Sequence, residues 1–219
     1  MTISSSDYKG KPSHYFSGAR KTFVDDLPLN PEARLLEIGC GNGDTAAYAL
    51  ACRKCGWCAG VELCPDPAME AAQRLHDVQV GDIEELILPW PRGYFDLLIM
   101  SEVLEHLRDP WAVLKKIHPL LKAEAWVLSG SPNVAHHSVL RMLLRGRWDY
   151  DSIGIMDHTH LRWFTSGTYR AMFEECGYEV VSVGPAAPLR TIAKWIDRVT
   201  LGRCKHLLHS QIYLRARRR

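Results

Sequence analysis

Short, nearly unbroken apolar runs alternate with stretches of helical periodicity along most of this chain. Ala33–Gly39 (ARLLEIG) reads as a buried strand ending on glycine, followed by a helix over 44–55 and a second strand over Trp57–Leu63. Pro65 and Pro67 frame a turn before a helix at about 67–76, with Asp66 placed to cap it. Asp77–Val80 is a short third strand. Tyr94–Met100 (YFDLLIM) is a fourth, apolar at almost every position, as a strand covered on both faces should be. Asp109-Pro110 starts a helix running to about Leu121. Ala125–Ser129 is strand five, Ser166–Cys176 a helix stopped by Gly177, Tyr178–Val183 strand six and Ser210–Arg215 a last strand. The expected fold class is α/β: a doubly wound, mostly parallel seven-stranded sheet with helices on both faces.

Ligands of such sheets sit at the carboxyl ends of the strands. Gly39–Gly43, Glu62-Leu63, Gly81–Ile83 and Ser101–His106 are therefore the places to search. Gly39, Gly41 and Gly43 interrupt the first strand–helix turn, where side chains would keep a ligand off the backbone. Glu62 lies 23 residues after Gly39 and can accept both hydroxyls of an adenosine ribose. Asp82 can accept from an adenine amino group, with Ile83 against the ring. A nicotinamide site fits poorly. Its fingerprint wants a glycine where Asp44 stands, and none of the eight tyrosines begins a Tyr-x-x-x-Lys pair.

The segments LLEIGCGNG, VEL, GDIEE and FDLLIMSEVLEHLRDP, in that order, resemble the class I S-adenosylmethionine-dependent methyltransferases across residues 33–130. The last is similar to the ubiquinone-biosynthesis O-methyltransferases and many small-molecule methyltransferases. The resemblance implies a Rossmann-like methyltransferase fold, S-adenosylmethionine as cofactor and S-adenosylhomocysteine as product. It implies that Gly39, Gly41 and Gly43 approach the methionine and ribose, Glu37 the methionine amino group, Glu62 with Leu63 the ribose, Asp82 with Ile83 the adenine, and Ser101 the sulfonium end.

Residues 131–164 are too long for an ordinary connection and rich in His, Arg and aromatics. They are expected to form a substrate cap, with a short helix at 134–144. The run from Asp157 to Thr165 (DHTHLRWFT) resembles a stretch in methyltransferases of bacterial glycan pathways. An alcohol acceptor benefits from a base, and histidine has the suitable pKa. His160 is the first candidate, with His158, His106 and His137 as alternatives. Asn133, His137, Asp157 and Arg162 are candidates for holding the acceptor. Against this, each histidine has the plain reading of a helix cap or backbone partner.

The expected organisation is one methyltransferase domain: 1–32 an N-terminal lid segment bearing Tyr15, Phe16 and Arg20, 33–130 the cofactor core, 131–164 the cap, and 165–219 a helix, strands and basic tail. The expected acceptor is an oxygen, less readily a nitrogen, of a small molecule or glycan intermediate. Alternatives are a non-catalytic cofactor-binding subunit, or an enzyme acting on protein or nucleic acid.

Charge adds one feature. The chain has 219 residues and a formal net charge of +2, but Arg190–Arg219 carries net +8 and the remainder −6. Leu189, Ile192, Ala193, Ile196 and Val199 recur at helical spacing there, beside Trp195, Arg190, Lys194 and Arg198. The plain reading is a helix packed on the sheet. The sharper one is a surface for anionic lipid or a phosphate-bearing acceptor, enlarged by Arg215, Arg217, Arg218 and Arg219. Nucleic acid is disfavoured, because the body is acidic and lacks an aromatic–basic platform. No apolar run reaches a membrane-spanning length and no secretory h-region opens the chain, so the expected location is cytoplasmic, with peripheral contact at the inner membrane surface if the tail binds lipid. The seven cysteines are expected to be reduced. Cys52, Cys55, Cys58 and Cys64 invite a metal reading, but they fall across the first helix and second strand, and no metal is expected.

Overall fold

The computed structural model describes residues 5–8, 11, 15–188 and 191–219; Leu189 and Arg190, and the side chains of Ile192 and Ile196, lie outside the described residues. A seven-stranded sheet has the order β3-β2-β1-β4-β5-β7-β6. Its strands are β1 (Arg34–Ile38), β2 (Trp57–Glu62), β3 (Asp77–Val80), β4 (Phe95–Ser101), β5 (Leu121–Pro132), β6 (Tyr178–Pro185) and β7 (Gln211–Arg218). The helices are α1 (Lys21–Asp26), α2 (Asp44–Ala51), α3 (Pro65–Ala71), α4 (Pro110–Ile117), α5 (His137–Leu143), α6 (Ser166–Glu175) and α7 (Thr191–Val199). All neighbours among β1 to β5 pair in parallel, while β7 runs antiparallel to both β5 and β6.

The two-residue period of each central strand splits its apolar run between two cores. Leu36, Ile38, Leu98 and Met100 pack with Ile117, Tyr169 and Phe173 on one face. Leu35, Leu97 and Ile99 pack with Val24, Ala46 and Ala49 on the other. Each fully buried aliphatic side chain contributes roughly 2 kcal/mol. That continuous burial is why β4 shows no alternation of polar residues.

Element boundaries differ from the periodicity in physically simple ways. The helix after β1 stops at Ala51, short of 55, because Arg53 turns left-handed with φ +56°. The next helix starts at Pro65, so Cys64 occupies the capping position and Asp66 lies within the first turn. Asp109 caps α4 as expected, accepting from the Ala112 N–H at 2.9 Å. That helix ends at Ile117, and a 3₁₀ turn over His118–Leu120 leads into β5.

The largest correction concerns the basic tail. Its last residues are not an appendage: β7 slots between β5 and β6 and carries Ile212, Leu214 and Ala216 into the core. The Arg217 guanidinium lies 4.2 Å from the Trp126 ring centroid and pairs with Glu124 at 3.0 Å. Arg215 approaches the same ring at 5.5 Å, and Arg218 donates to the Leu121 carbonyl. These arginines serve the sheet, which removes them from the expected lipid surface. Cys55 and Cys58 are core residues whose burial pushes their thiols up to about 12 and about 11. Among the described residues no helix is long and apolar enough to cross a membrane.

Candidate functional site

Strand order reverses between β1 and β4, and the crevice beyond their carboxyl ends is the natural binding place of a doubly wound sheet. A cavity of about 400 Å³ opens there. Its floor is the turn after β1. Gly39 and Gly41 have φ of +69° and +53°, so an L side chain would be strained at either. A Cβ on Gly39 would also stand 2.5 Å from Val103 Cγ2, and one on Gly41 2.4 Å from the Phe16 carbonyl oxygen. The turn has no room for anything but glycine. Gly43, expected at the cofactor, instead sits at the α2 N-cap beside Ala71 and does not line the cavity.

Glu62 closes β2 and is only 6% exposed. Its carboxylate accepts from Gly41 N–H at 2.8 Å and Cys64 N–H at 2.9 Å, one bond to each oxygen. A carboxylate has about four acceptor positions, so these two bonds leave capacity for ligand hydroxyls in competition with the nearby Leu63 N–H and Cys64 thiol. Burial pushes its carboxyl up, and these N–H donors oppose that. Leu63 and Ile83 line the adjoining wall. Asp82 stands beside them, accepting from Glu84 N–H at 2.8 Å within its turn. Glu37 faces the other end, accepting from Ala46 N–H at 3.1 Å. Burial raises its carboxyl to about 8. These residues, with Ser101, fit the outline of an adenosyl amino acid: a diol-facing carboxylate, a floor without side chains, and an acid at the far end.

The opposite wall joins β4 to the cap. The Glu105 carbonyl accepts from Leu161 N–H at 2.8 Å and Arg162 N–H at 2.9 Å, which draws the 157–164 stretch against the end of β4. His106 and His160 consequently meet, ring centroids 4.8 Å apart. Each ring is fixed by its Nδ1–H, donated to Thr159 O at 3.1 Å and to Ile155 O at 3.0 Å respectively. Carbonyls only accept, so both Nδ1 atoms carry protons and both Nε2 atoms carry lone pairs. Burial lowers both pKa values, that of His106 to about 4, so the neutral rings persist at neutral pH.

Beside them lies Glu105, 1% exposed, with neither carboxylate oxygen hydrogen-bonded among the described residues. One ligand atom from each of Glu105, His106 and His160 lies within 4.8 Å of the others. Donors that share an ion at roughly 2.1 Å each stand roughly 3 to 4 Å apart, so the three would have to draw closer together to hold a divalent cation. The sequence expectation included no metal, and this cluster was not anticipated by it.

The remaining candidates separate cleanly. Asp157 lines the cavity and is held by Thr159 and by a buried ion pair with Lys11. His158 points outward with its side chain 55% exposed, and its Nδ1–H donates to Asp151 O. Arg162 donates to the Arg108 carbonyl. Asn133 gives its amide to His206 O and His209 O at 2.8 Å, and His137 donates to Leu207 O at 3.1 Å. Neither lines the cavity: both tie the cap to the chain before β7.

Of the further wall residues, Tyr15 and Phe16 belong to the segment that the sequence marked as a lid, whereas Tyr8 carried no sequence signal. Tyr8 packs on His106 at 5.9 Å, Tyr15 lies beside it, and Phe16 O accepts from Asn42 N–H. Tyr8, Tyr15 and Phe16 line the cavity, and Lys11 ties this segment to the cap through Asp157. Glu102 faces the cavity with φ +57°, a strained conformation for a non-glycine residue, and burial raises its carboxyl to about 7. Replacing Lys11 by alanine strands Asp157 as a buried charge without its cation. We expect cofactor release to accelerate at least about tenfold in stopped-flow measurements, and the thermal unfolding midpoint to fall as well.

A family profile described as a methyltransferase domain matches residues 13–183. The ubiquinone biosynthesis O-methyltransferase of Nitrosomonas europaea is 28% identical over 159 residues, covering 64% of this chain and 66% of that one. The protein of the same name from Xanthomonas campestris is 33% identical over 120 residues, covering 51% and 48%. The alignments thus span from about half to about two thirds of those relatives. A SAM-dependent methyltransferase structure from Archaeoglobus fulgidus superposes with a TM-score of 0.67 at 20% identity, covering 97% of this chain and all of that one.

Proposed function

The chain belongs to the class I S-adenosylmethionine-dependent methyltransferases, and on that premise we propose that it methylates an oxygen of a small-molecule or glycan acceptor. The supporting observation is the shared cavity: the glycine floor and Glu62 form one wall, and His106 and His160 the other, with Glu105 buried behind them. We assign Glu62 to the ribose hydroxyls, Asp82 and Ile83 to the adenine, Glu37 to the methionine ammonium, and Ser101 to the neighbourhood of the sulfur. When bound, S-adenosylmethionine supplies a methyl group on a sulfonium that needs no further activation.

The protein's tasks are then to align the acceptor oxygen behind the methyl carbon, exclude water and accept the acceptor's proton. Tyr8, Tyr15 and Phe16 exclude water from above. The neutral His160 Nε2 lone pair serves as proton acceptor in the simplest reading. The buried Glu105, whose carboxyl burial raises well above its ordinary value, favours a second one, in which Glu105, His106 and His160 would hold a divalent cation that displaces the Glu105 proton. Such a cation would supply positive charge to stabilise the ionised acceptor oxygen.

Calorimetric titration with S-adenosylmethionine, followed by assay of S-adenosylhomocysteine release with phenolic and sugar hydroxyl acceptors, tests the function. Binding with release supports it. Binding with no release from any acceptor supports the non-catalytic subunit, and absence of binding overturns both. The titration carries its own pH signature. Glu37 is protonated below about pH 8 in the free protein, whereas its pairing with an ammonium requires the carboxylate. Binding therefore expels a proton, and affinity should rise toward tenfold per pH unit between pH 6 and 7.5. Glu37→Gln should flatten that dependence.

A further inference from the structure

The family profile ends at residue 183, yet the chain beyond it builds α7. Trp195, Val199 and Leu201 are 66%, 62% and 83% exposed, and Trp195 and Val199 stand one helical turn apart on the same face. Lys194 and Arg198 form a parallel exposed pair beside them, and exposed Arg203 and Lys205 follow. Asp197 is the only acid between Thr191 and Leu208. Asn133 fixes the end of this segment to the cap through the carbonyls of His206 and His209. No residue of α7 lines the cavity. The arginines of β7 are engaged in the sheet and exposed Arg219 lies 3.8 Å from Glu179, so among the described residues after Thr191 this helix and its following turn carry the other exposed cations.

We propose that α7 is a membrane-surface helix: Trp195, Val199 and Leu201 enter the boundary between headgroups and acyl chains of an anionic bilayer, while Lys194, Arg198, Arg203 and Lys205 meet the lipid phosphates. An indole with aliphatic neighbours beside a row of cations is the chemistry an anionic interface selects. A second copy of the chain is a poor occupant. A two-fold contact places the same patch on both sides, setting four cations against four cations.

Flotation with phosphatidylcholine vesicles and with 3:1 phosphatidylcholine–phosphatidylglycerol vesicles, at 50 and 500 mM NaCl, tests this. Binding is expected only to the anionic vesicles and only at low salt. Lys194→Gln with Arg198→Gln should weaken it roughly twenty-five-fold, about fivefold per cation. Trp195→Ser should weaken binding to the anionic vesicles at 50 mM NaCl at least about tenfold, with the thermal unfolding midpoint unchanged in both variants. Failure to bind anionic vesicles overturns the proposal, as does binding that survives both sets of substitutions. Light scattering covers the rival occupant: a dimer that Trp195→Ser converts to monomer also overturns it.

Discussion

Glu62→Ala is expected to weaken S-adenosylmethionine binding by about a hundred-fold. The carboxylate keeps acceptor capacity after its bonds from Gly41 and Cys64. Two ribose hydroxyls donating there form charge-assisted bonds, of which each is worth roughly 1.5 to 3 kcal/mol. Tenfold in affinity corresponds to about 1.4 kcal/mol, so losing both spans about two decades or more. The substitution also removes the acceptor of the Gly41 N–H, at the floor of the cavity, and that loosens the turn the cofactor lies on. Glu62→Gln separates the two effects. It keeps the side-chain volume but sets an amide N–H₂ against an N–H donor, so most of the affinity should still be lost. Calorimetry measures this directly, and an unchanged dissociation constant in Glu62→Ala would remove Glu62 from the ribose.

Replacing His160 by alanine should slow methyl transfer by about a hundred- to ten-thousand-fold while cofactor affinity stays within about twofold. The two effects part because His160 stands on the cap wall and Glu62 on the cofactor wall of one cavity. Whether His160 acts alone or with Glu105 and His106 is decided by direct titration with Zn²⁺, a metal suited to two imidazoles and a carboxylate. The cation reading expects one equivalent to bind to the wild-type protein, weakened at least about tenfold by Glu105→Gln. It also expects activity to fall on chelation and return with added metal. Chelation without effect, together with a slow His160→Ala enzyme, assigns His160 as a base without metal. An unchanged rate in His160→Ala removes it from the chemistry.

The cofactor wall is legible in the amino-acid sequence. Its elements follow one another closely in the chain, and each carries its signal locally: glycines where β1 turns, an acid where β2 ends, another after β3. The acceptor wall is not. Glu105 and His106 follow β4, while His160 lies 54 positions after His106, and no spacing rule joins them. Two backbone bonds to the Glu105 carbonyl bring them together. The same long-range packing keeps His137 and Asn133 away from the cavity and brings Tyr8 and Glu102 to it. Adjacent polar residues in a sequence say which groups are available and leave open which way each side chain points.

The basic tail shows the same division most plainly. Composition identifies an excess of positive charge after residue 190, and helical spacing identifies an amphipathic stretch within it. Periodicity also places a strand near the end of the chain. Periodicity within a strand does not name its neighbours, because backbone hydrogen bonds are the same for every partner. Only the tertiary structure places β7 between β5 and β6, where Trp126 and Glu124 engage its arginines. What remains outside the sheet is α7. The sequence by itself determined the α/β class, the glycine turn and strand-end acids that line the cavity, and the sign of the tail's charge, since each is written in local pattern and spacing. The tertiary structure decided which histidines meet, which cations stay at the surface and what closes over the cavity, since those depend on contacts between residues far apart in the chain.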